Sequence, residues 1–178
     1  MLDRLILEIN GKSFSQRQIE IYHSVRTIAG GSRSRKALLD TATWKSAVET
    51  FKNEMIVFAS IEGDQTRNDS FQADNRALQW AEKEIQKVQL EDKELLAFFK
   101  RQGVTEAELQ KNLVTIFRIQ AYVRSRLQVL NQDSDLSAKD LLDIDPDSDW
   151  FASMQKATPY RFYDRAKEFQ ALQVARKG

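Results

Sequence analysis

The chain has 178 residues, with 27 Lys and Arg against 26 Asp and Glu, no cysteine, one histidine, six glycines and two prolines. That length supports one ordinary domain, or two small ones, with a true core. The missing cysteine excludes a disulfide framework, a thiolate zinc site and a thiol nucleophile, and the single histidine excludes any site needing two imidazoles. A net charge of +1 gives no global field for nucleic acid, and 42% hydrophobic with 30% charged residues reads as folded rather than disordered. Scarce Gly and Pro leave few turns, so the expected class is mostly helical, and the composition points away from an enzyme. No apolar run reaches membrane-spanning length, and the N-terminal apolar stretch is too short for a signal peptide.

In chain order, Leu5–Ile9 is β-prone and Asn10-Gly11 follows as a turn dipeptide. Ser15 with Gln18 fits a capping box and Phe14 with Ile19 a hydrophobic staple, so a first helix is expected over about 16–29 and ends at Gly30-Gly31. The basic stretch 30–36, GGSRSRK, lacks the spacing of a phosphate-binding loop and reads as a solvated loop. A second helix is expected over about 42–62, with Trp44, Ala47, Val48, Phe51, Met55 and Phe58 on one stripe and Ile56 and Val57 off it. A third runs from Asp69 or Ser70 to about 88, its apolar side formed by Phe71, Leu78, Ala81, Ile85 and Val88.

A fourth helix over about 91–102 carries Leu95, Leu96, Phe98 and Phe99, and Gly103 sits where a left-handed cap belongs. Thr105 and Glu108 then open the longest helix, about 106–130. Its main stripe is Leu109, Leu113, Ile116, Ile119, Val123, Leu127 and Leu130, and a second apolar set, Val114, Phe117 and Ala121, lies opposite. Residues 131–149 hold seven Asp and one Lys, a local charge of −6 that marks a linker, with one helical turn around Leu141-Leu142. The segment 150–178 turns aromatic and basic; Pro159 breaks it into a short helix, a strand near 159–163 and a terminal helix from about 165.

The bland readings of single residues prevail. His23 lacks a partner histidine or cysteine, Ser15 is explained by capping, and Asp143, Asp145, Asp147 and Asp149 lack the glycine and terminal glutamate of a calcium loop. No cofactor and no metal are expected. The aromatic and thioether residues are the candidates for binding, because such side chains adapt to varied partners. The candidate binding residues are Val114, Phe117, Ala121 and Tyr122 on the long helix, and Trp150, Phe151, Met154, Tyr160 and Phe162 in the C-terminal segment.

The ordered set of elements resembles SurA-type periplasmic chaperones. Asp3-Arg4, the strand 5–9, Asn10-Gly11 and the helix from Ser15 are similar to the family's mature N-terminus. Phe98–Gly103, Thr105 and the run Ile119–Arg126 match its later elements, and Trp150 with YRFYDRAKEF resembles its returning terminal segment. The resemblance implies a helical chaperone core (1–130), an acidic linker (131–149) and a C-terminal segment (150–178) that packs back to make one compact domain. It implies pairing of the strands near 5–9 and 159–163. The linker is far too short for a parvulin domain, so prolyl isomerase activity is not expected. The implied function is ATP-independent holding of unfolded or extended polypeptides, with outer-membrane protein precursors as clients and no nucleic acid or membrane span. The implied place is the periplasm, with a leader removed; a native start at Met1 would mean the cytoplasm. A homodimer by exchange of terminal segments fits the separated C-terminal segment. The alternatives are a helical scaffold that binds one folded partner, or the chaperone part of a parvulin-type isomerase whose catalytic domain has been removed.

Overall fold

The computed structural model describes residues 3–30, 41–63, 70–91, 93–127 and 141–163. Outside these residues lie the basic loop from 31, the expected last helical residues 128–130, most of the acidic linker and the terminal helix expected from 165. The described chain is mostly helical with one small sheet. Its elements are β1 (Leu5–Ile9), β2 (Lys12–Ser15), α1 (Gln16–Ala29), α2 (Thr41–Gly63), α3 (Ser70–Glu91), α4 (Lys93–Arg101), α5 (Glu106–Arg126), α6 (Asp149–Ala157) and β3 (Tyr160–Phe162). Their contacts gather into two units. Among the described residues, one comprises 3–24, 41–60 and 144–163, the other 25–30, 61–63, 70–91, 93–127 and 141–143.

The first unit holds the sheet, in the order β2-β1-β3, antiparallel throughout. Asn10 (φ 50°) and Gly11 (φ 77°) both adopt left-handed backbone, the geometry of a two-residue hairpin turn whose twist suits the flanking strands. The turn therefore makes Lys12–Ser15 a strand, an element that the sequence reading placed in no strand, ahead of the helix. The register slips between Leu5 and Leu7, so this bulge lets Ile6 and Leu7 both be buried, at 1% and 0% exposure. β3 pairs Leu7 with Phe162, Glu8 with Arg161 and Ile9 with Tyr160. Asn10 N–H donates to the Pro159 carbonyl (2.8 Å) and Tyr163 N–H to the Ile6 carbonyl (2.9 Å), which extends the pairing at both ends.

The capping box that opens α1 is reciprocal. Gln18 N–H donates to Ser15 Oγ (3.3 Å) and Ser15 N–H to Gln18 Oε1 (2.8 Å). The core of this unit forms where Phe14 and Tyr22 each meet the Phe51 ring edge-on at 5.1 Å. Trp44, Ala47, Val48, Phe51 and Met55 are buried as the periodicity predicts, but Ile56 and Val57, predicted off the stripe, are buried at 0%, while Phe58 is half-buried. α2 is thus covered on more than one side. Its Glu54 is buried because its carboxylate accepts the Tyr22 hydroxyl at 2.7 Å.

In the second unit α3 packs on α5 and on α4. Gly103 (φ 64°) closes α4: its N–H donates to the Lys100 carbonyl (3.1 Å) and Val104 N–H to the Phe99 carbonyl (2.9 Å), a Schellman cap. Thr105 then caps α5, with its hydroxyl accepting from Glu108 N–H at 3.1 Å. Leu109, Leu113, Ile116, Ile119 and Val123 of α5 are buried as predicted. Leu127 is 44% exposed. On α3 the buried apolar residues, among those described, are Ala77, Trp80, Ala81, Ile85 and Val88, and Leu78, predicted to face the core, is 40% exposed.

The stretch 141–145 forms no helical turn, contrary to expectation, because its backbone is engaged otherwise. The fully buried Gln120 side chain donates to the Leu142 carbonyl (3.0 Å) and accepts from Leu142 N–H (2.8 Å). Arg26 pairs with Asp143 at 2.8 Å beside it. Gln120→Leu keeps the side chain's approximate volume but strands both Leu142 groups, and we expect a loss of about 2 kcal/mol in stability, read from urea denaturation.

Candidate polypeptide-binding site

The nine candidate residues fall in both units. In the first, α6 begins after Ser148 and ends where Thr158 N–H donates to the Met154 carbonyl (2.9 Å); Pro159 then forces the extended backbone that becomes β3. This short helix and strand carry five of the nine. Phe151 is fully buried and meets Trp150 edge-on at 5.9 Å, so it belongs to the core. Trp150, Met154 and Phe162 are half-buried and Tyr160 is 37% exposed. Tyr160 and Phe162 alternate onto one face of β3, with ring centroids 6.1 Å apart. Lys52, itself buried, sets its ammonium 5.3 Å from the centre of the Tyr160 ring, and Gln155 Nε2 donates to the Tyr160 hydroxyl at 2.9 Å. The ring is thereby held in place while part of it stays accessible.

In the second unit Phe117 is 8% exposed and packs at 5.8 Å from Trp80 of α3. The second apolar set on α5 is therefore covered at its middle residue. Val114 and Tyr122 are half-buried and Ala121 is exposed. Arg126 Nε donates to the Tyr122 hydroxyl (2.8 Å) with its guanidinium 5.0 Å from the ring centre. Leu78 and Leu90 of α3, at 40% and 81% exposure, are exposed apolar residues that the sequence reading did not include among the candidates.

The opposite face of the sheet carries a polar cluster that periodicity made legible only in hindsight. Glu8 alternates away from Leu7 and Ile9, and Arg161 away from Tyr160 and Phe162, so the two meet across the strands. Glu8 Oε2 accepts from Arg161 Nη2 (2.8 Å) and Nε (3.2 Å) and from the Tyr163 hydroxyl. Tyr163 also bonds Ser13 of β2 at 3.0 Å, and its ring lies 5.1 Å from the Arg161 guanidinium. The Tyr163 hydroxyl and then Arg161 hold the Glu8 carboxyl below the ordinary carboxylate range. The carboxylate ties β1 to β3, and the Tyr163 hydroxyl carries the network on to Ser13 of β2.

Among the described residues no group of three His, Asp or Glu side chains is arranged to hold a metal ion, and no helix is long and apolar enough to cross a membrane. Asp145 serves a turn, accepting from Asp147 N–H at 3.0 Å. Comparison with protein-family models, curated proteins and solved structures finds no match for this chain.

Two outcomes follow from this geometry. Phe117→Ala removes a ring packed against Trp80 and should cost about 3 kcal/mol in chemical denaturation, a core effect. A depressed carboxyl stabilises the fold above its unfolded pKa and loses that contribution as pH falls through the folded one. The melting-temperature gap between the parent protein and Glu8→Gln should therefore be widest near neutral pH and close below the ordinary carboxylate range.

Proposed function

We propose that the protein is an ATP-independent chaperone that holds unfolded or extended polypeptides by binding alone, in the manner of SurA-type proteins. The observation that carries this reading is the antiparallel pairing of Leu5–Ile9 with Tyr160–Phe162 in an otherwise helical chain. That chain-end pairing is what the resemblance implied. In this reading the clients are outer-membrane protein precursors in the periplasm, whose strands alternate apolar and polar residues.

The accessible parts of Trp150, Met154, Tyr160 and Phe162 supply an adaptable apolar surface in the first unit. Exposed or half-exposed Gln155, Lys156 and Arg161 flank them in sequence. Apolar side chains of a client buried there at about 25 cal/mol per Å2, less the cost of ordering the client, give roughly micromolar affinity. Such weak binding lets the client go without nucleotide hydrolysis. A surface of modest size with polar neighbours also resists self-association.

The test is light scattering from unfolded outer-membrane β-barrel protein diluted from urea. The protein at several-fold molar excess, without ATP, should suppress the scattering, and the Met154→Ser, Tyr160→Ser double variant should suppress it several-fold less while keeping its helical circular dichroism. No suppression with any unfolded β-rich protein would end this reading. Tight capture of one native partner without suppression would establish the scaffold in its place.

A further inference from the structure

We infer that β3 occupies, from within the chain, a strand-binding seat on the edge of β1, and that the seat takes in exchange an extended polypeptide with aromatic–basic–aromatic alternation. This rests on the chaperone reading and adds a second place of client contact, the β1 edge, to the accessible surface proposed above. Strand addition to a sheet edge takes its affinity from main-chain hydrogen bonds and its selectivity from pockets for alternate side chains.

β3 itself shows what the seat accepts. Aromatic side chains stand opposite the buried Leu7 and Ile9, and a guanidinium stands opposite Glu8. The main chain adds the bonds at Asn10 and Ile6. The Glu8 carboxylate, bonded to Arg161 and Tyr163, is a specificity element that rewards a cation between two aromatics.

The occupant is short and loosely covered. It spans three residues, Tyr160 is 37% exposed, and the Arg161 side chain is 66% exposed. β1, in contrast, has a second partner on its other edge, the longer strand β2, joined to it by a two-residue turn. Removing β3 would leave a formed edge with main-chain groups to pair, bordered by apolar Leu7 and Ile9. The partner that fits is an unfolded chain in extended form.

A cross-link across the pair tests this. The chain lacks cysteine, so the Ile9→Cys, Tyr160→Cys double variant, which keeps Glu8, forms one defined disulfide when oxidised. Facing residues of an antiparallel pair lie within disulfide reach. The probe is a labelled peptide with the chain's own sequence 158–163, Thr-Pro-Tyr-Arg-Phe-Tyr, followed by fluorescence anisotropy and by amide shifts of Leu7 and Glu8. Circular dichroism of both forms checks that they remain folded. We expect the reduced form to bind the peptide at least tenfold more tightly than the oxidised form, with shifts centred on β1. Equal binding by the two forms, or none by the reduced form, overturns the inference. Aggregation suppression by the parent protein is scored separately. Its presence together with equal peptide binding would leave the chaperone reading standing and remove the strand seat alone.

Discussion

The arrangement of the first unit depends on β1 being paired along both edges. An isolated strand leaves its main-chain donors and acceptors without partners, and burying one costs about as much as a lost hydrogen bond. β1 cannot stay exposed, because Ile6, Leu7 and Ile9 are core residues. The Asn10-Gly11 turn supplies one partner locally, and the chain then has to return from beyond residue 159 to supply the other. That return brings the half-exposed aromatics of α6 and β3 into the same unit as the buried stripe of α2. The proposed binding surface is therefore a by-product of satisfying a strand.

The second unit meets the same demand by another route. Its stretch 141–143 forms neither helix nor strand, so its main chain needs side-chain partners. Gln120 supplies them because a primary amide carries both a donor and an acceptor, the mirror of a peptide group. A hydrophobic residue at 120 would suit the surroundings of α5 and would leave the passing peptide unbonded. Polar burial here fixes the path of the chain, while the aromatic contact of Trp80 with Phe117 fixes how α3 lies on α5.

Much of this was legible in the sequence. The helix starts at Ser15 and Thr105 and the stop at Gly103 follow from local chemistry, and each formed the hydrogen bonds that its residues imply. The β3 strand was legible because Pro159 excludes helix and aromatics follow it. β2 was missed because Lys12-Ser13-Phe14-Ser15 has little strand propensity, and the left-handed turn before it imposed the pairing. Leu78 was misplaced because the stripe of α3 is centred on Ala77, Trp80 and Ala81, a choice made by the partner helix rather than by hydrophobicity. The candidate site was legible as a set of residue types. Which members would be core was not, since Phe117 and Phe151 differ from their accessible neighbours only through tertiary packing. Glu8 and Arg161, 153 positions apart, were missed as a pair because nothing local couples them.

The same separation has a kinetic side. Loop closure over so long a distance is costly before it is rewarded, so the β1–β3 ladder should be among the last contacts to form. On a ribosome it cannot form at all until residue 163 has left the exit tunnel, long after the residues of β1 and β2 have emerged. Throughout that interval the β1 segment lacks the partner that pairs its second edge. A chain for which the binding of other proteins' unpaired strands is proposed thus begins with an unpaired edge of its own.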